Sequence, residues 1–434
     1  MTALDAAIGE LLCGDHDQVI VGGVNTHLAP ESFIGFAKMG TLSSVGSYPF
    51  DERASGFILG EGSVIFVLKR MKDAIRDNNR IFGVINSIGS SSDGKGKAIA
   101  APNPAGQVLS VQRCFENIRP GITPEDIGFI EAHGTSTTIG DQAELETLNS
   151  GDSLAFFDRS VTIKQIHDKY FEAKSTLYEN INFLEVFSSP KNKINDEIAV
   201  VGIGCTLPHA DDPDSLWENI LAKKYSISRM PEERFDHDLY YDPDRSAEDK
   251  TYTTLAGHVD HFEFDRERFG YAEEKAKKLS RSQKMVLQTA YKAVENAGLL
   301  GENNQLICDD PSRTAVIVAT CLSNELGNDL QLKYWYPELV SMMEQTDEYQ
   351  SLSDEEKESV KQVLLEGMEG ENPGYDPVHG MLLNIEASRI ARHLGIRGVN
   401  YIVDAACASS VTALDAAIGE LLCGDHDQVI VGGG

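Results

Sequence analysis

Cys407 stands where a thiol could act as a nucleophile. It follows an apolar stretch at residues 399–403 and precedes a segment with apolar residues three or four apart, at Leu414, Ile418 and Leu421. This spacing predicts a strand that turns into a helix, with the thiol at the helix N-terminus. The positive end of a helix dipole lowers the pKa of a thiol and favours the thiolate, which is the form that covalent catalysis needs.

The small residues around Cys407 favour this interpretation, because they let a substrate reach the backbone amides of the turn. The alternative is a buried thiol that packs as a small hydrophobic side chain. The small residues are Ala405, Ala406, Ala408, Ser409 and Ser410.

His133 is the second candidate for chemistry, as a residue that transfers protons. It stands in the sequence EAHGTSTTIGD, after apolar residues 127–130 that predict a strand and before Gly134 and threonines that predict a loop. A structural histidine with satisfied hydrogen bonds is the alternative. The sequence AGHVDHFEFD predicts a surface loop for His258 and His261.

Strands and helices alternate along most of the chain, as in an α/β protein with a layered sheet. Apolar stretches predict strands at residues 63–68, 313–319 and 399–403, and helical periodicity covers residues 275–297. The polar residues 151–195 interrupt this alternation and are interpreted as a linker.

One segment occurs twice: residues 2–23 return without a change as residues 412–433. Diverged repeats keep their apolar pattern while their surface residues change, so identity at every position does not indicate a repeated domain. Only the second copy follows Cys407. The two copies therefore cannot do the same job.

Composition and charge exclude several classes of partner. The chain has 434 residues and a formal net charge of −30, which argues against nucleic acids and anionic membranes as partners. Its seven cysteines form no CxxC pair, so we expect free thiols in a reducing compartment and no zinc site. The sequence shows no signal peptide and no apolar run that could span a bilayer, which predicts a cytoplasmic protein.

Several stretches of the sequence resemble parts of one enzyme family. DAACASSVTALDAAIGELLCGDHDQVIVGG is similar to the nucleophile segment of the β-ketoacyl synthases, the condensing enzymes of fatty acid and polyketide synthesis. EIAVVGIGCTLPHADDPDSLWENI resembles the start of such a domain in type I synthases, and PFDERASGFILGEGSVIFVLKR and IEAHGTSTTIGDQAE resemble its later half. The subtype looks most similar to iterative synthases of polyketides or polyunsaturated fatty acids. The resemblance implies a thiolase-like layered αβαβα fold, here incomplete and circularly permuted.

The resemblance also implies roles for four residues. Cys407 would accept an acyl group from a carrier-protein thioester, and His133 would promote decarboxylation of the malonyl unit whose carbanion attacks that acyl group. Thr135 and Thr137 would bind the phosphopantetheine arm. The implied partner is an acyl carrier protein, which brings the phosphopantetheine with it; a homodimer is also implied, with no bound cofactor and no metal.

The order of the motifs is permuted relative to the family. Residues 196–434 resemble the N-terminal half of a ketosynthase, residues 1–150 resemble its later half, and residues 151–195 link them. Laying residues 412–433 over residues 2–23 restores the family order. We hypothesise that the sequence was opened from a circular or self-overlapping piece of DNA, which reading across the junction in a longer genomic clone would test.

Two family features do not occur after EAHGT: a lysine-containing motif that ends in a second histidine, and a GFGG loop. The resemblance therefore predicts impaired condensation, because losing one such acid–base group or oxyanion donor commonly costs a factor of about a hundred or more. The alternative is a catalytically incomplete scaffold that binds a carrier protein. A Cys–His hydrolase is a third interpretation, for which the sequence offers no convincing third triad residue.

Both copies of the repeat require one position in such a fold. We expect the second copy beneath the active site because it is attached to Cys407, which makes residues 2–23 the displaced copy. Domain-swapped dimers or aggregation follow as a prediction.

Overall fold

Seven strands form the main sheet of the protein. A computed structural model describes residues 18–87, 89, 91, 102–117, 122, 126–149, 198–320, 335–368, 382–405, 409, 413 and 428–433. The strands in these ranges are β1 (Gln18–Asn25), β2 (Leu59–Gly60), β3 (Gly62–Arg70), β4 (Gly83–Ile85), β5 (Ile198–Thr206), β6 (Ser228–Arg229), β7 (Leu255–Gly257), β8 (Thr314–Ala319), β9 (Asn400–Val403) and β10 (Gln428–Gly433). The helices there are α1 (Pro30–Lys38), α2 (Met71–Arg76), α3 (Pro104–Asn117), α4 (Thr138–Asn149), α5 (Pro213–Leu221), α6 (His237–Tyr240), α7 (Glu273–Ala276), α8 (Arg281–Asn296), α9 (Tyr336–Met343), α10 (Asp347–Gln350), α11 (Asp354–Met368) and α12 (Ile385–Leu394).

The main sheet runs in the order β4-β5-β3-β1-β10-β8-β9 and combines parallel with antiparallel neighbours. β3 pairs antiparallel with β1 and β5, whereas β8 pairs parallel with β9. Every residue of β8 is buried, as its uninterrupted run TAVIVA predicts for a central strand. The α/β class expected from the sequence is confirmed.

Helix α8 packs against β5 and β3 and is buried along most of its length. Its N-terminus is capped by Ser280, whose hydroxyl accepts a hydrogen bond from the amide of Gln283. Two glycines of β5 permit the close approach, since a Cβ on Gly202 or Gly204 would collide with the backbone of α8. Helix α12 packs beside α8 and extends the same hydrophobic core.

The two copies of the repeat contribute strands to the same place in this sheet. β1 belongs to the first copy and β10 to the second, and both pair parallel with β8 in one register: Gln18 and Gln428 each face Thr314. β9 occupies the other edge of β8. Because one strand edge has hydrogen-bonding groups for one neighbour, the two copies are alternatives for a single position.

The strand of the first copy is not displaced from the sheet. β1 pairs antiparallel with β3 along its whole length, opposite residues 62–69, whereas the described partners of β10 are β8 and β1. The expectation that residues 2–23 are the displaced copy is therefore wrong for their strand, because β3 follows in the same segment and holds it. The expected helices of the two copies, residues 2–17 and 414–427, lie outside the described residues.

A second sheet has three strands in the order β2-β7-β6. Leu59 and Gly60 of β2 pair with Ala256 and Gly257 of β7, so this sheet joins the segment before residue 151 to the segment after residue 195. Residues 151–195, interpreted as a linker, lie outside the described residues. Both sheets thus draw strands from both segments.

Two sequence-based expectations about elements differ from the structure. Residues 127–130 form no strand, and Ile127 and Phe129 are 36% and 57% exposed. None of the described strands pairs with them, and a strand needs a neighbour to satisfy its backbone groups. The single helix expected at residues 275–297 is two helices, α7 and α8, because Ser280 starts a new helix.

In the part of the chain that the structure describes, no helix is long and apolar enough to cross a bilayer. The same residues include no group of three or more His, Cys, Asp or Glu side chains that could hold a metal ion.

Candidate active site

The loop that carries His133 is folded back onto the helix that follows it. Both oxygens of the Glu144 carboxylate, on α4, accept hydrogen bonds from this loop: Oε1 from the amide of His133 (2.7 Å) and Oε2 from the amide of Gly134 (2.8 Å). Gly134 has a φ of +54°, a left-handed conformation that residues with a side chain rarely adopt. His133 itself is exposed, so its imidazole is accessible to a substrate.

The hydroxyls of Thr135 and Thr137 lie 3.0 Å apart at the start of α4. Thr137 Oγ1 also accepts a hydrogen bond from the amide of Gly140 (3.2 Å), which satisfies one of the free amides of the first helical turn. A Cβ on Gly140 would meet both hydroxyls. The structure therefore brings these two residues together, and Thr137 also stabilises the helix.

Two residues that the sequence analysis did not single out attach this loop to the segment PFDERASG. Ser136 is fully buried, and it accepts a hydrogen bond from the amide of Tyr48 through Oγ (2.9 Å) and one from the amide of Gly56 through its carbonyl oxygen (2.9 Å). Asp141 Oδ2 accepts a hydrogen bond from the amide of Phe50 (2.7 Å). The two motifs that resemble the later half of a ketosynthase thus form one unit.

Cys407 lies outside the described residues, but parts of the turn on both sides of it are described. β9 precedes it, and the amide of Ala405 donates a hydrogen bond to Oγ of Ser409 (2.8 Å). Ser409 and Ala413 are helical and fully buried. The strand expected before Cys407 is therefore present, and Ser409 and Ala413 after it are helical; the rest of the expected helix lies outside the described residues.

Two of the described cysteines, Cys205 and Cys114, have a raised thiol pKa. Burial raises the pKa of the Cys205 thiol, on β5, to about 11, although Lys292 acts in the opposite direction. Burial also raises the pKa of Cys114. A thiol that stays protonated at neutral pH is a poor nucleophile, so neither residue competes with Cys407 for that role.

A buried carboxylate joins the segment before the linker to the segment after it. Glu61 has no exposed side-chain surface, and it accepts hydrogen bonds from Arg234 (2.9 and 3.1 Å) and Arg281 (2.6 Å). The amide of Val259 donates to the same carboxylate (2.7 Å). These donors offset the cost of removing the charge from water. No sequence pattern identifies this network, because the arginines follow Glu61 by 173 and 220 residues.

His258 is buried, which corrects the expectation of a surface loop for this residue. It directly follows β7 and is 6% exposed, because β6 pairs with β7 and brings Ser228 against it. Its Nε2 lies 2.8 Å from Oγ of Ser228, and its Nδ1 lies 2.5 Å from Oδ1 of Asp260. His261 is exposed, as expected.

Comparison with known protein families places the chain in a family of acyl-transferring condensing enzymes. The model of the β-ketoacyl synthase N-terminal domain matches residues 1–74 and 195–434, and the model of the β-ketoacyl synthase C-terminal domain matches residues 82–153. The chain belongs to the β-ketoacyl synthase family. The N-terminal domain match lies on both sides of the C-terminal domain match.

The curated relatives are much longer proteins. Polyketide synthase PksR of Bacillus subtilis (strain 168) is 38% identical over 152 residues, which are 35% of this chain and 6% of that protein. Lovastatin diketide synthase lovF of Aspergillus terreus is 38% identical over 151 residues, which are 35% of this chain and 6% of that protein. Among solved structures, the ketosynthase from module 6 of the bacillaene synthase of Bacillus subtilis 168 is 42% identical, covering 31% of this chain and 24% of that chain, with a TM-score of 0.30.

Proposed function

We propose that this chain forms a β-ketoacyl synthase site, which accepts an acyl group on Cys407 and condenses it with a malonyl unit in polyketide or fatty acid synthesis. The observation that carries the proposal is the attachment of the His133 loop to PFDERASG. Glu144, Ser136 and Asp141 hold the loop in place, while His133 stays exposed. Family membership supplies the class of reaction.

In the proposed reaction, the thiolate of Cys407 attacks the carbonyl carbon of an acyl thioester. The thiol of the carrier leaves, and the acyl group stays on Sγ. A malonyl thioester then loses carbon dioxide, and the resulting carbanion attacks the acyl group and releases Cys407. His133 promotes the decarboxylation by stabilising the enolate oxygen.

The proposed partner is an acyl carrier protein. The paired hydroxyls of Thr135 and Thr137 are suited to hydrogen-bond the amides of its phosphopantetheine arm, because both hydroxyls lie together beside the exposed His133 loop. The phosphopantetheine belongs to the carrier, so the site needs no cofactor of its own. A homodimer and a cytoplasmic location stay predictions.

Covalent loading of the full chain tests the proposal. We expect a labelled acyl thioester to leave its acyl group on Cys407, and we expect no adduct there in Cys407→Ala, which lacks the thiol. His133→Ala should load normally but release little carbon dioxide from a malonyl thioester, with a loss of about a hundredfold or more. Cys114→Ala is the matched control and should load like the parent.

The absence of an adduct on Cys407, or undiminished total loading in Cys407→Ala, would overturn the proposal. Binding of the carrier protein without loading would favour the second candidate, a scaffold that binds carrier proteins without condensing their acyl groups.

A further inference from the structure

We propose that Ser228, His258 and Asp260 form a second nucleophilic centre, which accepts acyl groups from activated esters and thioesters. Two hydrogen bonds join the three side chains: Ser228 Oγ with His258 Nε2 (2.8 Å) and His258 Nδ1 with Asp260 Oδ1 (2.5 Å). None of these residues has a role in the function proposed above.

The carboxylate determines which imidazole nitrogen carries the proton. A carboxylate only accepts hydrogen bonds, so Nδ1 of His258 carries the proton that faces Asp260. Nε2 then presents its lone pair, and the hydroxyl of Ser228 donates to it. This is the arrangement in which a histidine serves as the general base of a nucleophilic serine.

The register of the second sheet explains why the three residues meet. Ser228 on β6 faces Ala256 on β7. His258 comes two residues after Ala256, which makes it the diagonal neighbour of Ser228 across the strand pair. Asp260 follows after a further two residues and reaches the other nitrogen of the ring.

The backbone between His258 and Asp260 is held by the buried charges described above. The amide of Val259 donates to Glu61 Oε2 (2.7 Å), and its carbonyl oxygen accepts a hydrogen bond from Arg281 (2.6 Å). Both backbone polar groups of Val259 are thus hydrogen-bonded, and they hold the backbone between the histidine and the carboxylate. Such support is what a preorganised site needs.

Exposure differs among the three residues in the way that this chemistry requires. His258 is shielded from water, the side chain of Asp260 is 36% exposed, and Ser228 is exposed. A substrate can therefore reach the hydroxyl, while the base behind it stays buried.

In the acyl transfer, Ser228 Oγ attacks the carbonyl carbon and its proton passes to Nε2 of His258. The bond to the leaving alkoxide or thiolate breaks, and the leaving group takes that proton. Water then cleaves the serine ester by the same proton route, so the products are a carboxylic acid and an alcohol or thiol.

The position of Ser228 in a strand limits the rate. An amide in a strand pair is used by the sheet and does not serve as an oxyanion donor, and the loss of one such donor costs a factor of about 10²–10³. We therefore expect an acyl adduct that forms measurably and turns over slowly.

The chain contains a matched control two residues away from Ser228. Ser226 Oγ lies 3.1 Å from Nδ1 of His209, which makes a second serine–histidine pair. Among the described contacts, no carboxylate joins that imidazole. Ser226 therefore has a histidine neighbour without the third member of the relay.

The experiment treats the full chain carrying Cys407→Ala with p-nitrophenyl acetate and measures acetylation of each serine by peptide mass spectrometry. The cysteine substitution separates this test from the proposed function, whose adduct forms on Cys407. We expect Ser228 to be acetylated about a hundredfold faster than Ser226 on the same molecules. Asp260→Asn should slow acetylation of Ser228 by about a hundredfold or more, and Ser226→Ala should leave it unchanged.

Equal acetylation of Ser228 and Ser226 in the folded chain would overturn the proposal, and this ratio needs no variant that could misfold. So would an Asp260→Asn chain that keeps its circular dichroism spectrum and acetylates Ser228 at the parent rate. Labelling of Ser228 that persists at the same rate in urea would also count against it, because the relay exists only in the folded sheet.

Discussion

The two copies of the repeat have the same sequence but different neighbours. Strands β1 and β10 both pair with β8 in the same register, but only β1 also pairs with β3 along its whole length. β1 ends at Asn25, whose side chain donates a hydrogen bond to the carbonyl oxygen of Gly60 (2.6 Å). Identical strand sequences can thus form different sets of pairs, because the segments joined to them differ.

The largest effect is expected from breaking β8, the partner that both copies need. Ile317 is fully buried there, so Ile317→Asp would place a charge in the core and remove the position of either copy. We expect a loss of about 4–5 kcal/mol in the free energy of unfolding, enough to abolish cooperative urea unfolding. Ile139→Asp, at an exposed position on α4, is the control and should unfold like the parent.

The next largest effect is expected from breaking the Glu61 network, which joins the two segments of the chain and favours neither copy of the repeat. Glu61→Gln leaves Arg234 and Arg281 without their charged partner, and we expect a loss of about 3 kcal/mol. Glu52→Gln, at an exposed carboxylate, should cost little. The Glu61 network does not involve β1 or β10. Glu61→Gln should therefore lower the free energy of unfolding by the same amount in a Gly22→Val chain and in a Gly432→Val chain. Unequal losses would show that the network distinguishes the copies.

A matched pair of substitutions compares the copies directly. A Cβ on Gly22 would collide with the carbonyl oxygen of Val64 on β3, so Gly22→Val should cost about 2–3 kcal/mol. Gly432→Val makes the same change in the second copy and should cost about 1 kcal/mol or less, since β1 can hold the position. The double variant should lose more than the sum, because neither copy then fits. Additive losses in urea unfolding would contradict a shared position.

The smallest effect depends on pH and comes from the segment that directly follows the first copy. His27 lies just after β1, and burial lowers the pKa of its imidazole below 6.5, although Glu31 acts in the opposite direction. Below pH 6.5 the unfolded chain therefore binds a proton that the folded chain disfavours, and the free energy of unfolding falls as the pH decreases. Urea unfolding at about pH 8 and about pH 6 should show a smaller loss for His27→Gln than for the parent. A loss of equal size would exclude His27 as its source.

The sequence predicts the buried strands, because their own apolar residues are enough to indicate them. The run TAVIVA predicts β8, and SVIFVL predicts most of β3, because an uninterrupted apolar strand can only be buried. Residues 127–130 carry a similar but shorter signal and remain without a described strand partner. Their apolar pattern is compatible with a strand. A strand also needs a partner strand, however, and a local sequence pattern does not show whether one is present.

The sequence likewise predicts some features of the candidate site but not others. The motif around His133 could be recognised from sequence, but its attachment through Ser136 and Asp141 could not, because those partners lie far along the chain. Likewise, His258 looked like a loop residue, since its burial depends on Ser228 of a strand only two residues long. In each case the missing information is a tertiary contact.

The Glu61 network has a consequence for how this chain is made. A ribosome delivers Glu61 long before its partners, since Arg234 and Arg281 follow by 173 and 220 residues. Until these two arginines are synthesised, the carboxylate has no arginine partner. β3 is likewise synthesised before its neighbour β5. The Glu61 network therefore forms only after residue 281 has been synthesised, and the contacts that join the two segments come late in the folding of the nascent chain.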